Sequence, residues 1–160
     1  MDQGDIRGLK VGDVMHSDWP TLGAENTVEE TIKLFAERGV SGVPVVENER
    51  LVGIVTEGDL IFRDAEEVKG PGFLDILGGM IPLGNWEEYR RETLKSAGVT
   101  VGQVMTREVR TVSPDAPLPE AATVMAEERI RLLPVVEGEE FRGVLTRMDI
   151  LTLHILNPSF

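Results

Sequence analysis

The chain reads twice. Residues 11–61 align on residues 101–151 without a gap. Val11-Gly12-Asp13-Val14-Met15 returns as Val101-Gly102-Gln103-Val104-Met105, and Pro44-Val45-Val46-Glu47 returns as Pro134-Val135-Val136-Glu137. Gly53-Ile54-Val55-Thr56 returns as Gly143-Val144-Leu145-Thr146, and Asp59 returns as Asp149. A repeat of this length is one supersecondary unit used twice. A unit of about fifty residues has a thin core. The two copies are therefore expected to bury their sheets against each other.

Each copy carries the same order of elements. Thr27 with Glu30 three residues on is a capping box, in which a hydroxyl and a carboxylate satisfy free N–H groups at a helix start. Val28, Ile32, Phe35, Ala36 and Gly39 then make one helical face, with Glu29, Lys33 and Glu37 opposite. In the second copy the face is Leu118, Ala122, Met125 and Ala126, behind prolines 117 and 119, which a first turn tolerates. Two apolar runs follow, Gly42–Val46 and Leu51–Val55, around the polar turn Glu47-Asn48-Glu49-Arg50. Their counterparts are Leu132–Val136 and Phe141–Leu145 around Glu137-Gly138-Glu139-Glu140. A further helix starts at Thr56 or Thr146, and a short strand is expected near Thr21 or Thr111. Between the copies, Gly70-Pro71-Gly72 precedes an apolar patch from Phe73 to Leu83, and Asn85 with Glu88 opens another helix. Connections this long seldom lack structure of their own.

Charge narrows the function. The formal net charge is −12 and the pI about 4.6. Binding to phosphate backbones or anionic lipid needs clustered cations that displace counterions, and the largest Lys/Arg cluster is Arg90-Arg91. Nucleic acid and membrane are therefore not expected partners. There is no cysteine, which removes disulfides, thiolate catalysis and cysteine metal sites. The N-terminal Met1-Asp2-Gln3-Gly4-Asp5 lacks the apolar segment of a signal peptide, and the apolar stretch 76–83 is broken by Gly78, Gly79 and Pro82. A cytoplasmic location follows as the expectation. Nucleotide-fold, phosphate-loop, hydrolase and metalloprotease motifs are all missing. His16 and His154 stand apart from any convincing set of metal ligands.

The order strand, turn, strand and then Gly-h-h-Thr-x-x-Asp resembles the CBS domain. It stands here as Gly53-Ile54-Val55-Thr56-Glu57-Gly58-Asp59 and Gly143-Val144-Leu145-Thr146-Arg147-Met148-Asp149. The Val14-Met15 and Val104-Met105 entries and the Val43-Pro44-Val45 and Leu133-Pro134-Val135 strands match as well. The resemblance implies an α/β (α+β) fold class: two CBS domains, each β-α-β-β-α, packed sheet to sheet with pseudo-twofold symmetry in a Bateman module. CBS domain 1 would span 7–63, a helical insertion 64–97 and CBS domain 2 98–156.

It further implies a non-catalytic regulatory sensor of AMP, ADP or ATP, without a catalytic cofactor. It would act as a homodimer and be read by a regulated protein. The rival reading is a structural or interaction module with unoccupied clefts. By family pattern, one cleft would use Thr146, Asp149 and Arg131, with adenine near Thr21, Val40 and Gly42. The other would use Thr56, Asp59 and Ser41, with adenine near Thr111, Ile130 and Leu132. Ser41 stands where Arg131 stands in the second copy, so the two clefts are expected to be unequal. The first copy, residues 11–60, carries three basic and ten acidic residues, whereas residues 101–150 carry six and nine.

Each of these residues also has a bland explanation. Thr56 and Thr146 suit helix N-caps, with Asp59 and Asp149 answering the positive end of the helix. The two readings are compatible, because a helix start also suits an anion and a carboxylate can accept both hydroxyls of a diol. Met15 and Met105 read as core fillers. Pro44 and Pro134 read as edge or bulge positions in their strands.

Overall fold

The computed structural model describes residues 6–60 and 99–156. The helical insertion expected over 64–97, with its apolar patch and its Asn85–Glu88 box, lies outside the described residues. A 3-10 turn at Ile6–Gly8 precedes α1 (Val11–Val14), α2 (Val28–Arg38), β1 (Gly42–Glu47) and β2 (Arg50–Thr56). The second copy supplies α3 (Val101–Val104), α4 (Leu118–Glu127), β3 (Leu132–Glu137), β4 (Glu140–Thr146) and α5 (Arg147–Leu156).

Local chemistry sets the helix ends. The Thr27 hydroxyl accepts the Glu30 N–H at 3.1 Å, and the Glu30 carboxylate accepts the Thr27 N–H at 3.2 Å. Gly39 closes α2 at φ 64°, a left-handed conformation that costs glycine little. Helix α4 starts at Pro117 and has no side-chain cap. The buried faces differ from the expected ones in the same way in both copies. Helix α2 buries Val28, Thr31 and Phe35, and α4 buries Leu118, Ala121 and Met125. Ala36, Gly39 and Ala126 are exposed. The core stripe follows the i, i+3, i+7 line, which turns the predicted flank toward water. Thr31 can be buried because its hydroxyl returns to the Thr27 carbonyl at 2.9 Å, leaving no unmet donor.

Strands β1 and β2 are neighbours in the sheet, joined through Asn48 and Glu49, which both have positive φ (50° and 66°). This is the backbone of a tight hairpin turn. Strands β3 and β4 pair antiparallel from Leu132↔Thr146 to Glu137↔Glu140, with an irregularity between Val135 and Val136. Pro44 and Pro134 lack an N–H but use their carbonyls: Leu22 and Val112 each donate to one at 3.1 Å. The strands expected near Thr21 and Thr111 are therefore present as parallel bridges, Leu22↔Val45 and Val112↔Val135.

The chain divides into two compact units that do not coincide with the sequence copies. Unit 1 holds residues 1–19, 48–51 and 109–160, and unit 2 holds 20–47 and 52–108. Each unit thus takes its lead-in segment from the other copy. In unit 1, Leu118 N–H bonds Leu9 O (2.9 Å), Val11 N–H bonds Ala116 O (2.9 Å) and Gly12 N–H bonds Pro114 O (2.8 Å). Val11 joins the core of Leu118, Ala121, Met125, Leu133, Val135 and Leu145. In unit 2, Val28 N–H bonds Val99 O (3.0 Å), Val101 N–H bonds Asn26 O (2.7 Å) and Gly102 N–H bonds Ala24 O (2.8 Å). Val28, Phe35, Val43, Val45, Val55, Val101, Val104 and Met105 are buried there.

The lead-in ends against a glycine in both units. His16 and Val144 exchange backbone bonds of 2.8 and 3.0 Å, and Thr106 and Ile54 exchange bonds of 2.8 and 2.9 Å. A Cβ on Gly143 would lie 2.5 Å from the His16 carbonyl oxygen, and one on Gly53 would lie 2.7 Å from the Met105 sulfur and 2.9 Å from the Thr106 carbonyl oxygen. Close approach of the lead-in therefore requires glycine at both positions.

Candidate functional site

The polar residues that stand out in the sequence collect where the second strand of each hairpin turns into a helix. In unit 1, β4 ends at Thr146 and α5 begins. The Asp149 carboxylate accepts the Thr146 N–H at 2.8 Å, and the Thr146 hydroxyl accepts the Asp149 N–H at 3.2 Å. This reciprocal pair caps the helix, as the structural reading requires. The Arg147 N–H, one residue further on, donates to the Arg131 carbonyl at 2.9 Å. That bond ties the residue before β3 to the start of α5 and brings Arg131, Thr146 and Asp149 to one place. The Arg131 side chain is exposed.

Unit 2 repeats the arrangement with other side chains. The Asp59 carboxylate accepts the Thr56 N–H at 3.0 Å, and its N–H donates to the Thr56 hydroxyl at 3.4 Å. Glu57 N–H bonds the Ser41 carbonyl at 3.0 Å. Thr56, Asp59 and Ser41 are thus gathered as their counterparts are, but a neutral serine stands in place of a guanidinium.

In each unit the structure adds one residue to the site: His16, which the sequence offers only as an isolated histidine, and Thr106, which it does not single out. The second carboxylate oxygen of Asp149 is held by His16 Nε2 at 2.7 Å, and that of Asp59 accepts the Thr106 hydroxyl at 2.8 Å. Both donors sit on the lead-in from the other sequence copy. The signal was present in the register: His16 falls on Thr106 in the ungapped repeat, each directly after a Val-Met pair. The Asp149 side chain is 15% exposed and that of His16 40%. The His16 ring also lies against Trp19, with centroids 5.5 Å apart and planes at 54°.

The residues expected around adenine fall in the opposite unit from their polar partners. Thr21, Val40 and Gly42 belong to unit 2, and Thr111, Ile130 and Leu132 to unit 1. Val40 and Ile130 occupy matching positions, each donating its N–H to the helix before it, to Phe35 O (3.2 Å) and Met125 O (2.9 Å). Among the described residues, no group of three or more His, Asp or Glu side chains is placed to hold a metal ion, and no helix is long and apolar enough to cross a membrane.

A family model for the CBS domain matches residues 11–66 and again residues 101–155. The chain belongs to the CBS domain family. It is 30% identical over 149 residues to the protein MJ1232 of Methanocaldococcus jannaschii, covering 92% of this chain and 40% of that one. It is 33% identical over 135 residues to MJ1426 of the same organism, covering 79% of this chain and 80% of that one. The chain thus spans two fifths of one relative and most of another. Among solved structures, this CBS pair is similar to CBSX2 in complex with AMP, with a TM-score of 0.68 and 26% identity over 93% of this chain and 98% of that one. CBSX2 is a chloroplastic CBS domain-containing protein of Arabidopsis thaliana.

Proposed function

We propose that this CBS pair is a regulatory, non-catalytic module that binds an adenine nucleotide of the AMP, ADP or ATP type, with Arg131, Thr146 and Asp149 as its polar ligands in unit 1. The observation that carries this reading is the 2.9 Å backbone bond from Arg147 N–H to the Arg131 carbonyl, which sets the exposed Arg131 beside the Thr146–Asp149 helix start. A guanidinium offers phosphate a forked donor, and the positive end of the helix dipole favours the same charge. A carboxylate holding two protein donors keeps further acceptor positions for a ribose diol. Similarity to an AMP-bound relative over nearly the whole of both chains supports the choice of ligand.

In unit 2, Thr56, Asp59 and Ser41 form the weaker counterpart, because a neutral hydroxyl replaces the cation. The reading extends to a cytoplasmic homodimer. Met148, Leu151 and Ile155 expose an apolar stripe along α5, at 65%, 45% and 78%, which suits a second copy.

Thermal shift with AMP, ADP, ATP and S-adenosylmethionine tests the reading, because a specific ligand stabilises by RT ln(1 + [L]/Kd). Calorimetry then tests the residues. Losing a charge-assisted hydrogen bond costs about 1.5–3 kcal/mol, roughly ten- to over a hundred-fold in affinity. Arg131→Ala should weaken AMP at least about tenfold, and Ser41→Ala should change little. The reverse pattern would overturn the assignment, and no shift with any nucleotide would favour an interaction module.

A further inference from the structure

We infer that His16 is a positioning residue for the Asp149 carboxylate, one that shares Oδ1 with a bound nucleoside and holds that oxygen harder once its ring is protonated. The inference rests on the nucleotide reading of unit 1 and adds to it a residue outside the family motif.

The backbone delivers the ring. His16 is fixed to Val144 by two backbone bonds of 2.8 and 3.0 Å, and Gly143 lets that segment approach with no Cβ between them. The tilted Trp19 ring supports the imidazole. Nε2 then stands 2.7 Å from Asp149 Oδ1, while Thr146 N–H occupies Oδ2 at 2.8 Å. Both carboxylate oxygens carry a donor before any ligand arrives. A ribose diol that uses both oxygens must share Oδ1 with the imidazole.

Unit 2 carries the same device without the ionisable group. Thr106 holds Asp59 Oδ1 at 2.8 Å, and its hydroxyl is neutral throughout the range in which imidazole titrates. Neutral imidazole already makes a charge-assisted bond to the carboxylate, and imidazolium adds the attraction of a full opposite charge to it. Among the described residues, Asp149 on α5 is the one charged side chain in ion-pair contact with His16. Strand β4 meets it through the Val144 backbone. On its own segment, Asp13 accepts the Lys10 N–H at 2.9 Å and Asp18 is exposed, as is Arg147 at the start of α5. The Asp149 site is therefore the one whose acceptor is contested as pH falls.

Adenosine is the probe, because it has no phosphate to titrate across the same range. Calorimetry at about pH 5.5 and about pH 8, the span in which an ordinary histidine changes charge, compares wild type, His16→Thr and Thr106→His. His16→Thr installs the residue that already serves Asp59, so the fold has a precedent for it. In the wild type, adenosine should bind the Asp149 site up to about fivefold more weakly at the acid end, the most that a partly exposed ion pair adds. That dependence should vanish in His16→Thr and appear at the Asp59 site in Thr106→His. An unchanged dependence in His16→Thr overturns the inference.

A second, ligand-free measurement separates its failure from that of the nucleotide reading. In thermal melts of His16→Ala, Asp149→Ala and the double variant, the double should lose less than the two singles added together. Simple addition of the two shifts would show that the pair does not interact and would overturn the inference by itself. If the shifts are non-additive but adenosine and AMP bind no variant, the nucleotide reading falls and takes the role assigned to His16 with it.

Discussion

Unit 1 and unit 2 share one backbone plan and fill it differently. Leu118, Leu133 and Leu145 are fully buried in unit 1, whereas the same repeat positions in unit 2 are Val28, Val43 and Val55, at 4%, 0% and 0% exposure. Unit 2 in turn buries Thr31 where unit 1 buries Ala121. At the candidate sites Arg131 faces the role of Ser41, and His16 that of Thr106. What the units keep in common is what the backbone needs: Gly53 and Gly143 under the lead-in, the Asp59 and Asp149 caps, and the prolines whose carbonyls take the parallel bridge. Side-chain volume and charge have diverged around that frame. At the three leucine positions the larger apolar side chain lies in the unit that carries the guanidinium and the imidazole, whereas unit 2 buries Phe35 where unit 1 buries Met125.

The comparison breaks most sharply at the core. Leu145→Ala removes a fully buried leucine and leaves a cavity, a change that costs about 3 kcal/mol. Val55→Ala at the matching position removes less volume, two methyl groups at about 0.8 kcal/mol each plus a smaller cavity, about 2 kcal/mol in all. Urea unfolding of the two variants beside the wild type measures both. Equal losses would mean that core volume is not what separates the units.

The sequence made the repeat legible because side-chain identities recur in register, and the hairpins, the capping box at Thr27 and the Thr-x-x-Asp caps all followed from local chemistry. Two things did not. One is the helix face: a pattern containing Ile32, Ala36, Ala122 and Ala126 fits more than one stripe, and only packing selects Thr31 and Ala121. The other is the origin of each lead-in. Val11 and Val101 look alike in sequence, and nothing local says which hairpin each will cover. Pairing over such separations is a tertiary choice. The pairing of His16 with Asp149 and of Thr106 with Asp59 is hidden in sequence for that reason, since each reaches its carboxylate only after the lead-in has found the other copy. Of the candidate site, the motif residues Arg131, Thr146 and Asp149 were readable, and the donor on Asp149 Oδ1 was not.

A smaller difference lies at the first helix of each copy. Helix α2 has the Thr27–Glu30 box, while α4 begins at Pro117 with no side-chain cap. Thr27→Ala should destabilise unit 2 by about 1 kcal/mol. Pro117→Ala should cost less, because no capping bond is lost. Hydrogen exchange along α2 and α4 reads the two ends separately, and matching losses would show that the caps are equivalent despite their chemistry.

The smallest expected effect is in the acid limb of stability, and it belongs to unit 2. Glu30 is held below the ordinary glutamate range. The chief cause is the Asn26 side chain, which donates to its carboxylate at 2.6 Å, followed by the Thr27 N–H at 3.2 Å. Desolvation opposes the shift and nearby Lys33 assists it. A carboxyl whose pKa is lowered by folding adds stability that is fully present above its unfolded value, about 4.3, and is lost as pH falls through the folded one. Glu30→Gln cannot be charged, so its melting temperature should approach that of the wild type as the solution is taken below about pH 4. Asn26→Ala, which removes the largest cause, should flatten the same part of the curve. The carboxylate is exposed, so solvent screening keeps both effects small. A difference between wild type and Glu30→Gln that is constant across the acid range would show that the charge on Glu30 contributes nothing beyond the geometry of the cap.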